Sequence, residues 1–204
     1  MAREPESILE YARLVIDALE AAEINYLLGG ALAAGAWGEP RSTQDVDLVI
    51  GLPPERIERL SAELASRDIL LPPDLMLDQL LETRGDVALV AYHRSAGFKA
   101  ELFLLRPGDE LRATALQRRT WLELEPPLGG VYVHSAEDLI LYKLSYYKLS
   151  AQTKHLRDIV GLLLARGALL DYGYLSQWVL RLSVQAQWRA LLSEARPAGA
   201  PVPD

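Results

Sequence analysis

Two glycines and two aspartates, separated by about one short helix, are the residues of this chain best suited to chemistry. Gly29 and Gly30 follow an apolar run, and Asp45 and Asp47 open a second apolar run. Because side chains alternate along a strand, the two aspartates are predicted to share one face while the valine between them points into the core. Neighbouring carboxylates repel one another unless a cation lies between them. Hard oxygen ligands in this arrangement favour Mg²⁺ or Mn²⁺.

The glycine pair adds a second chemical possibility. A residue without a Cβ lets backbone N–H groups come close to a phosphate. A tight turn is the alternative for Gly29 and Gly30 taken alone. Together with the paired carboxylates, the glycines predict nucleotide chemistry.

The combined motif resembles that of a known group of enzymes. The run Leu28-Gly29-Gly30-Ala31, followed by Arg41-Ser42-Thr43-Gln44-Asp45-Val46-Asp47, resembles the signature of the DNA polymerase β-type nucleotidyltransferase superfamily. The fuller pattern is similar to that of small prokaryotic members, the minimal nucleotidyltransferases and the toxin-type enzymes of abortive-infection systems. Such enzymes carry a third acid within a later apolar strand, and the matching residue here is Glu101. Many relatives have Asp at that position, so Glu101 is a departure from the pattern.

The resemblance implies a role for each of these residues. Asp45 and Asp47 would bind two metal ions, Mg²⁺ or Mn²⁺, and Glu101 would help to bind the ion that activates an acceptor hydroxyl. Glu101 could also take the proton of that hydroxyl. Gly29, Gly30 and the start of the following helix would hold the pyrophosphate that leaves the nucleoside triphosphate.

The residues just before Asp45 each have two possible roles. Arg41 could neutralise phosphate charge, or it could pair with Asp45 or Glu39 to hold the loop. Ser42 and Thr43 are expected to cap the loop backbone, with phosphate contact as the alternative.

A second element of the resemblance lies further along the chain. The stretch Ser135-Ala136-Glu137-Asp138-Leu139-Ile140 leads to Lys143, which either reaches the triphosphate or lies on the surface. The stretch from Lys154 to Ile159 resembles the region that follows in toxin-like relatives. Within it, Arg157 and Asp158 are expected to form an ion pair between helices. His93, His134 and His155 have no metal-ligand spacing and are expected to be structural.

Apolar periodicity predicts strands before residue 134 and helices after it. The fold class is therefore α/β, or α+β, and the resemblance implies a mixed β-sheet flanked by helices. Predicted divisions are a catalytic domain at 1–134, a helical region at 135–195 and a disordered Pro/Gly/Ala-rich tail at 196–204. Helices are predicted at 7–22, 31–37, 53–66, 72–83, after Gly108, and at 139–149, 153–166 and within 172–195. Strands are predicted at 24–28, 45–50, 87–93, 98–105, 121–125 and 131–134.

Composition narrows the class of protein. The chain has 204 residues, half of them apolar, and no cysteine, which excludes disulfides, thiolate zinc sites and thiol catalysis. No apolar run approaches the ~20 residues that span a bilayer, and the N-terminus lacks the layout of a signal peptide, so a cytoplasmic protein is expected. A net charge of −7 argues against extensive duplex binding, although a local patch for a triphosphate or an RNA end remains compatible with it.

The leading hypothesis is a metal-dependent nucleotidyltransferase acting on an acceptor hydroxyl. That acceptor could be a tRNA end, a protein side chain or a small molecule such as an antibiotic, and a toxin-like enzyme would have an antitoxin partner. One alternative is a catalytically degenerate module that binds nucleotide or a partner protein. Another is a structural α/β protein whose acids are coincidental.

Overall fold

The computed structural model describes residues 4–82 and 87–203. In those residues the helices are α1 Ile8–Ala21, α2 Gly30–Trp37, α3 Ile57–Ala65, α4 Pro73–Leu81, α5 Glu110–Gln117, α6 Ala136–Ser150, α7 Thr153–Arg166, α8 Tyr172–Arg181 and α9 Gln185–Ala195. The strands are β1 Asn25–Leu28, β2 Asp45–Gly51, β3 Ile69–Leu70, β4 Leu89–His93, β5 Lys99–Leu104, β6 Thr120–Glu123 and β7 Gly130–Val133. The expected helix end at Thr83 and the terminal residues 1–3 and 204 lie outside the described residues.

The described strands form one mixed sheet in the order β3-β4-β5-β2-β1-β7-β6. Parallel pairs join β2 to β5 and β1 to β7, and the other neighbours are antiparallel. The two predicted strands at 87–93 and 98–105 correspond to β4 and β5, which form an antiparallel hairpin. A mixed sheet with helices before, between and after its strands confirms the predicted α/β fold class.

Among the described strands, β3 was not predicted from the sequence. Ile69–Leu70 pairs antiparallel with β4 at the edge of the sheet. Two residues are too few to show the alternation by which a strand is recognised in a sequence.

Helix α1 forms as its sequence predicts. Ser7 caps it by accepting a hydrogen bond from the Glu10 backbone N–H at 3.2 Å. The Glu10 carboxylate accepts from the Glu6 backbone N–H at 2.6 Å. The apolar face is fully buried and consists of Tyr11, Ala12, Val15, Ile16, Ala18 and Leu19.

The central strand pair sets the two faces of the sheet. Val46, Leu48 and Ile50 are buried on β2, and their register partners on β5 are Ala100, Leu102 and Leu104, which are also buried. The alternating positions point to the opposite, more exposed face. That face carries the predicted acids.

Contacts group the chain into two compact units. One unit contains the residues up to Leu32 and Ser42–Val133, and the other contains Ala33–Arg41 and the residues from His134 onward. Independent domains divided at residue 134 stay a prediction, and the grouping adds that Ala33–Arg41 packs with the C-terminal helices.

Two further findings concern the second unit and the whole chain. Residues 196–203, for which disorder is predicted, carry no helix or strand, and the Tyr172 hydroxyl donates to the Pro201 carbonyl at 3.2 Å.

Among the described helices, none is long and apolar enough to cross a bilayer.

Candidate active site

The three predicted acids lie on one face of the central strand pair. Asp45 and Asp47 are two residues apart on β2, and Asp47 is the register partner of Glu101 on the parallel strand β5. Side chains of register partners in a parallel pair point to the same face. The side chains of Asp45 and Glu101 are 44% and 30% exposed, so both can be reached from solvent.

A lysine lies between two of these acids. The Lys99 Nζ is 3.0 Å from Asp45 Oδ1 and 2.9 Å from Glu101 Oε1. Lys99 is also the register partner of Asp45. The hydrogen bond to Glu101, followed by that to Asp45, raises the pKa of Lys99 above its ordinary value, so the side chain is a cation.

The sequence analysis did not single out Lys99, although a signal was available. Lys99 stands two residues before Glu101 in a predicted strand, and such positions share a face. Its proximity to Asp45 depends on the register of β2 against β5, which the sequence does not show.

The donor set fits a divalent cation in part. Carboxylate oxygens of Asp45 and Glu101 already converge on one cation, the Lys99 ammonium. The four side chains of Asp45, Asp47, Glu101 and Lys99 together carry a formal charge of −2. Within the described ranges, however, no three acidic or histidine side chains are drawn together closely enough to hold a metal ion as they stand. A metal ion between Asp45 and Glu101 would require the Lys99 ammonium group to move, because that group already contacts both carboxylates.

Gly30 leaves space for the carboxylate of Asp47. It begins α2 with a φ of +58°, and a Cβ built on it would lie 1.7 Å from Asp47 Oδ2. Any other residue would collide with that oxygen and would also adopt a disfavoured backbone conformation.

The backbone of Gly29 is tied to the same aspartate. Its N–H donates to the Asp47 carbonyl oxygen at 2.8 Å. In this structure the Gly29 N–H therefore extends the pairing of β1 with β2, and a phosphate would have to share it.

Thr43 holds the start of the acid-bearing strand. Its hydroxyl accepts from the Asp45 N–H at 3.3 Å and donates to the Asp45 carbonyl oxygen at 3.2 Å. This is the backbone role expected from the sequence.

In the second unit, the two other candidate phosphate ligands meet on one aspartate. Asp158 accepts from Arg41 Nε at 2.9 Å and from Arg41 Nη2 at 3.2 Å, and the Lys143 Nζ lies 2.5 Å away. The side chains of Asp158 and Lys143 are each 6% exposed, whereas that of Arg41 is 44% exposed. Arg41 thus pairs with Asp158, an acid 117 residues away in the sequence that was not considered as its partner in the sequence analysis.

The electrostatics of this cluster favour its ionised form. Burial alone raises the pKa of Asp158, but the hydrogen bonds from Arg41 and Lys143 outweigh it, so the pKa lies below its ordinary value. His155 stacks on Tyr146 with ring centroids 5.9 Å apart, and burial is the main cause that lowers its pKa. That packing fits the structural role predicted for His155.

No protein-family model matches this chain, and no curated protein has a matching sequence. Solved structures do match it. The antibiotic-resistance factor ANT(2″)-Ia, crystallised with adenylyl-2″-tobramycin, is 18% identical with a TM-score of 0.53, over 88% of this chain and 98% of that one. An antigenic nucleotidyltransferase-like protein from Paracoccidioides brasiliensis is 21% identical with a TM-score of 0.51, over 92% and 91% of the two chains.

Identities this low show the fold and not the activity. Both matches nevertheless extend over most of each chain. The chain therefore has the fold of these nucleotidyltransferase structures.

Proposed function

We propose that this protein transfers a nucleoside monophosphate from an NTP to an acceptor hydroxyl at the face formed by Asp45, Asp47 and Glu101. One observation carries the proposal: Glu101 is the register partner of Asp47, and its carboxylate shares a cation with Asp45. Acids from two strands are thus gathered on one accessible face, as the sequence resemblance requires.

Asp45, Asp47 and Glu101 would hold the metal ions, for which Mg²⁺ or Mn²⁺ suits the carboxylate oxygens. When bound, such ions supply positive charge to the reacting phosphate and lower the pKa of the acceptor hydroxyl. The convergence of Asp45 and Glu101 oxygens on one cation, the Lys99 ammonium group, supports this assignment.

The reaction itself is a displacement at phosphorus. The acceptor oxygen bonds to the α-phosphorus while the bond from the α-phosphorus to the bridging oxygen breaks, and pyrophosphate leaves. Glu101 is the group proposed to accept the hydroxyl proton, because its carboxylate is partly exposed and it is the register partner of Asp47.

The remaining proposed contacts concern the phosphates. Gly30 at the start of α2 would bring backbone N–H groups towards the leaving pyrophosphate, with Gly29 sharing its N–H. For Arg41, Thr43 and Lys143, contact with the nucleotide rests on the sequence resemblance alone.

The acceptor has two kinds of support. The structure of ANT(2″)-Ia holds an adenylylated aminoglycoside, which favours a small-molecule hydroxyl. The toxin-like sequence resemblance favours a tRNA end or a protein side chain, with an antitoxin partner. We propose the small molecule first, because its support comes from a structure that matches nearly the whole chain.

Labelling tests both the reaction and the acceptor. The protein is incubated with each α-³²P-labelled NTP and Mg²⁺ or Mn²⁺, beside aminoglycosides, lincosamides, total tRNA and a protein mixture. Incorporation that stops with EDTA and with Asp45→Ala/Asp47→Ala is expected. Incorporation that survives the double substitution would exclude the proposed site.

A degenerate nucleotide-binding module is the second candidate, and Lys99 is the observation that favours it. A lysine bridging two of the acids neutralises part of the charge that metal ions need. Metal-dependent NTP binding without transfer to any acceptor would support this alternative.

A further inference from the structure

Lys99 occupies the position where a cation would bridge two acids. Its ammonium group lies within 3.0 Å of oxygens from both Asp45 and Glu101. The lysine side chain is 37% exposed, so it has room to leave this position. An ammonium group and a metal ion both satisfy the carboxylates, but they cannot do so at the same point.

The distances at which a metal ion and an ammonium group bind carboxylate oxygens show why the two cations exclude each other here. Mg²⁺ binds carboxylate oxygens at about 2.0–2.1 Å and demands nearly octahedral geometry. An ammonium group about 3 Å from the same oxygens would be a close neighbour of that ion, and like charges at such a separation repel strongly. Occupation by the metal therefore requires the Lys99 side chain to swing away.

A displaced lysine needs a new partner. Its four-carbon stem is flexible and its ammonium group is a compact donor of three hydrogen bonds, which suits phosphate oxygens. A bound triphosphate supplies such oxygens beside the acids, so nucleotide would compensate for the lost contacts. When metal binds without nucleotide, the displaced ammonium group exchanges two carboxylate contacts for water alone.

We propose that Lys99 is an internal cation that competes with divalent metal for Asp45 and Glu101, so that metal binds tightly only when nucleotide is also present. This inference rests on the proposed function, because it assumes that these acids bind metal. In this scheme Lys99 contacts the acids in the free protein and the phosphate oxygens once nucleotide is bound. The coupling would keep the site without metal until its substrate arrives.

Direct metal binding is the test. Mn²⁺ binding to the full-length protein is measured by electron paramagnetic resonance, with and without a nonhydrolysable NTP analogue. Lys99→Met is expected to tighten Mn²⁺ binding about tenfold in the absence of nucleotide and to reduce the enhancement by nucleotide. Lys99→Arg, which keeps the charge, should resemble the wild type, and Lys148→Met removes one exposed lysine elsewhere as the matched control.

The outcomes separate this inference from the function on which it rests. Equal or weaker Mn²⁺ binding by folded Lys99→Met overturns the competition, while the metal site stands if Asp47→Asn abolishes binding. If no variant binds Mn²⁺ even with nucleotide, both the competition and the proposed metal site are wrong. Circular dichroism of each variant shows whether it is folded, and Lys99→Gln replaces Lys99→Met if the latter is not.

Discussion

At the scale of single residues, the carboxylate of Asp47 fills the space where most residues would carry a Cβ at position 30. A Cβ on Gly30 would lie 1.7 Å from Asp47 Oδ2, and the backbone there has a φ of +58°. The glycine pair was interpreted from the sequence as an approach for phosphate. In the structure, the absence of a side chain at Gly30 leaves room for the Asp47 carboxylate beside the start of α2.

Gly30→Ala should therefore damage the site as well as the fold. The positive φ alone costs about 1–2 kcal/mol of stability for a residue with a Cβ, and the collision with Asp47 adds to it. Thermal denaturation and Mn²⁺ binding measure the two effects, and both should decline. Gly161→Ala is the control, because a Cβ there meets nothing within 4 Å and alanine favours a helix interior by roughly 0.5–1 kcal/mol. If Gly30→Ala behaves like Gly161→Ala, the proposed role of Gly30 is wrong.

At the scale of elements, one buried carboxylate links two helices and a loop. Asp158 on α7 pairs with Lys143 on α6 and with Arg41, which follows α2. Both Asp158 and Lys143 are almost completely buried, so each neutralises a charge that would otherwise be costly. This link holds Arg41 and Lys143 at fixed positions whether or not they contact nucleotide.

Asp158→Asn is expected to lower the free energy of unfolding at neutral pH by about 2–4 kcal/mol, because it leaves the buried Lys143 charge without its carboxylate. Denaturant unfolding measures the loss. Asp78→Asn, on the exposed side of α4, serves as the control and should be nearly neutral. A loss no larger than that of the control would show that the link contributes little.

The stability that Asp158 contributes is expected to depend on pH, and the Asp158→Asn variant tests this. The pKa of Asp158 lies below its ordinary value of 3.8 in the folded protein, since the hydrogen bonds from Arg41 and Lys143 outweigh burial. Its contribution is therefore complete above the unfolded pKa and is lost as pH falls through the folded pKa. The stabilities of wild type and Asp158→Asn should converge in acid below 3.8. A difference that stays constant with pH would contradict this.

At the scale of the whole molecule, sequence order and packing do not coincide. Ala33–Arg41 precedes most of the sheet in the chain but packs with the C-terminal helices. The Trp37 Nε1 donates to the His134 carbonyl at 2.7 Å, and the Arg166 guanidinium lies 5.0 Å from the Trp37 ring centroid. A cut after Val133, one residue before the expected end of the catalytic domain, would remove both partners.

A fragment ending at Val133 should accordingly be less stable than the full chain, because Trp37 and Arg41 lose their packing and ion-pair partners. Thermal unfolding followed by circular dichroism should show a lower or less cooperative transition. A chain ending at Ala195 keeps α6–α9 and should melt closer to the full-length protein. If the 1–133 fragment melts like the full chain, the expected domain boundary is also a boundary of folding.

The sequence predicted most elements, and the reasons for its omissions are physical. Strands β2 and β5 and helices α1 and α6 were predicted because apolar residues mark these segments, and in the structure a serine caps each of the two helices. Strand β3 was too short to show a pattern. The bridge formed by Lys99 depends on strand register, and the pairing of Arg41 with Asp158 joins residues 117 apart, so neither has a local signature.

Transfer by the wild type and by Asp47→Asn is the most direct test of the claim that the acids on β2 and β5 perform nucleotidyl transfer. Initial rates are measured with α-labelled NTP and the acceptor found by labelling, after circular dichroism has shown that each variant is folded. Asp47→Asn should reduce kcat/KM at least ~100-fold, since even the neighbours of metal ligands commonly contribute 10–100-fold, while Asp78→Asn should leave it unchanged. A folded Asp47→Asn variant whose kcat/KM stays within about threefold of the wild type would contradict the claim.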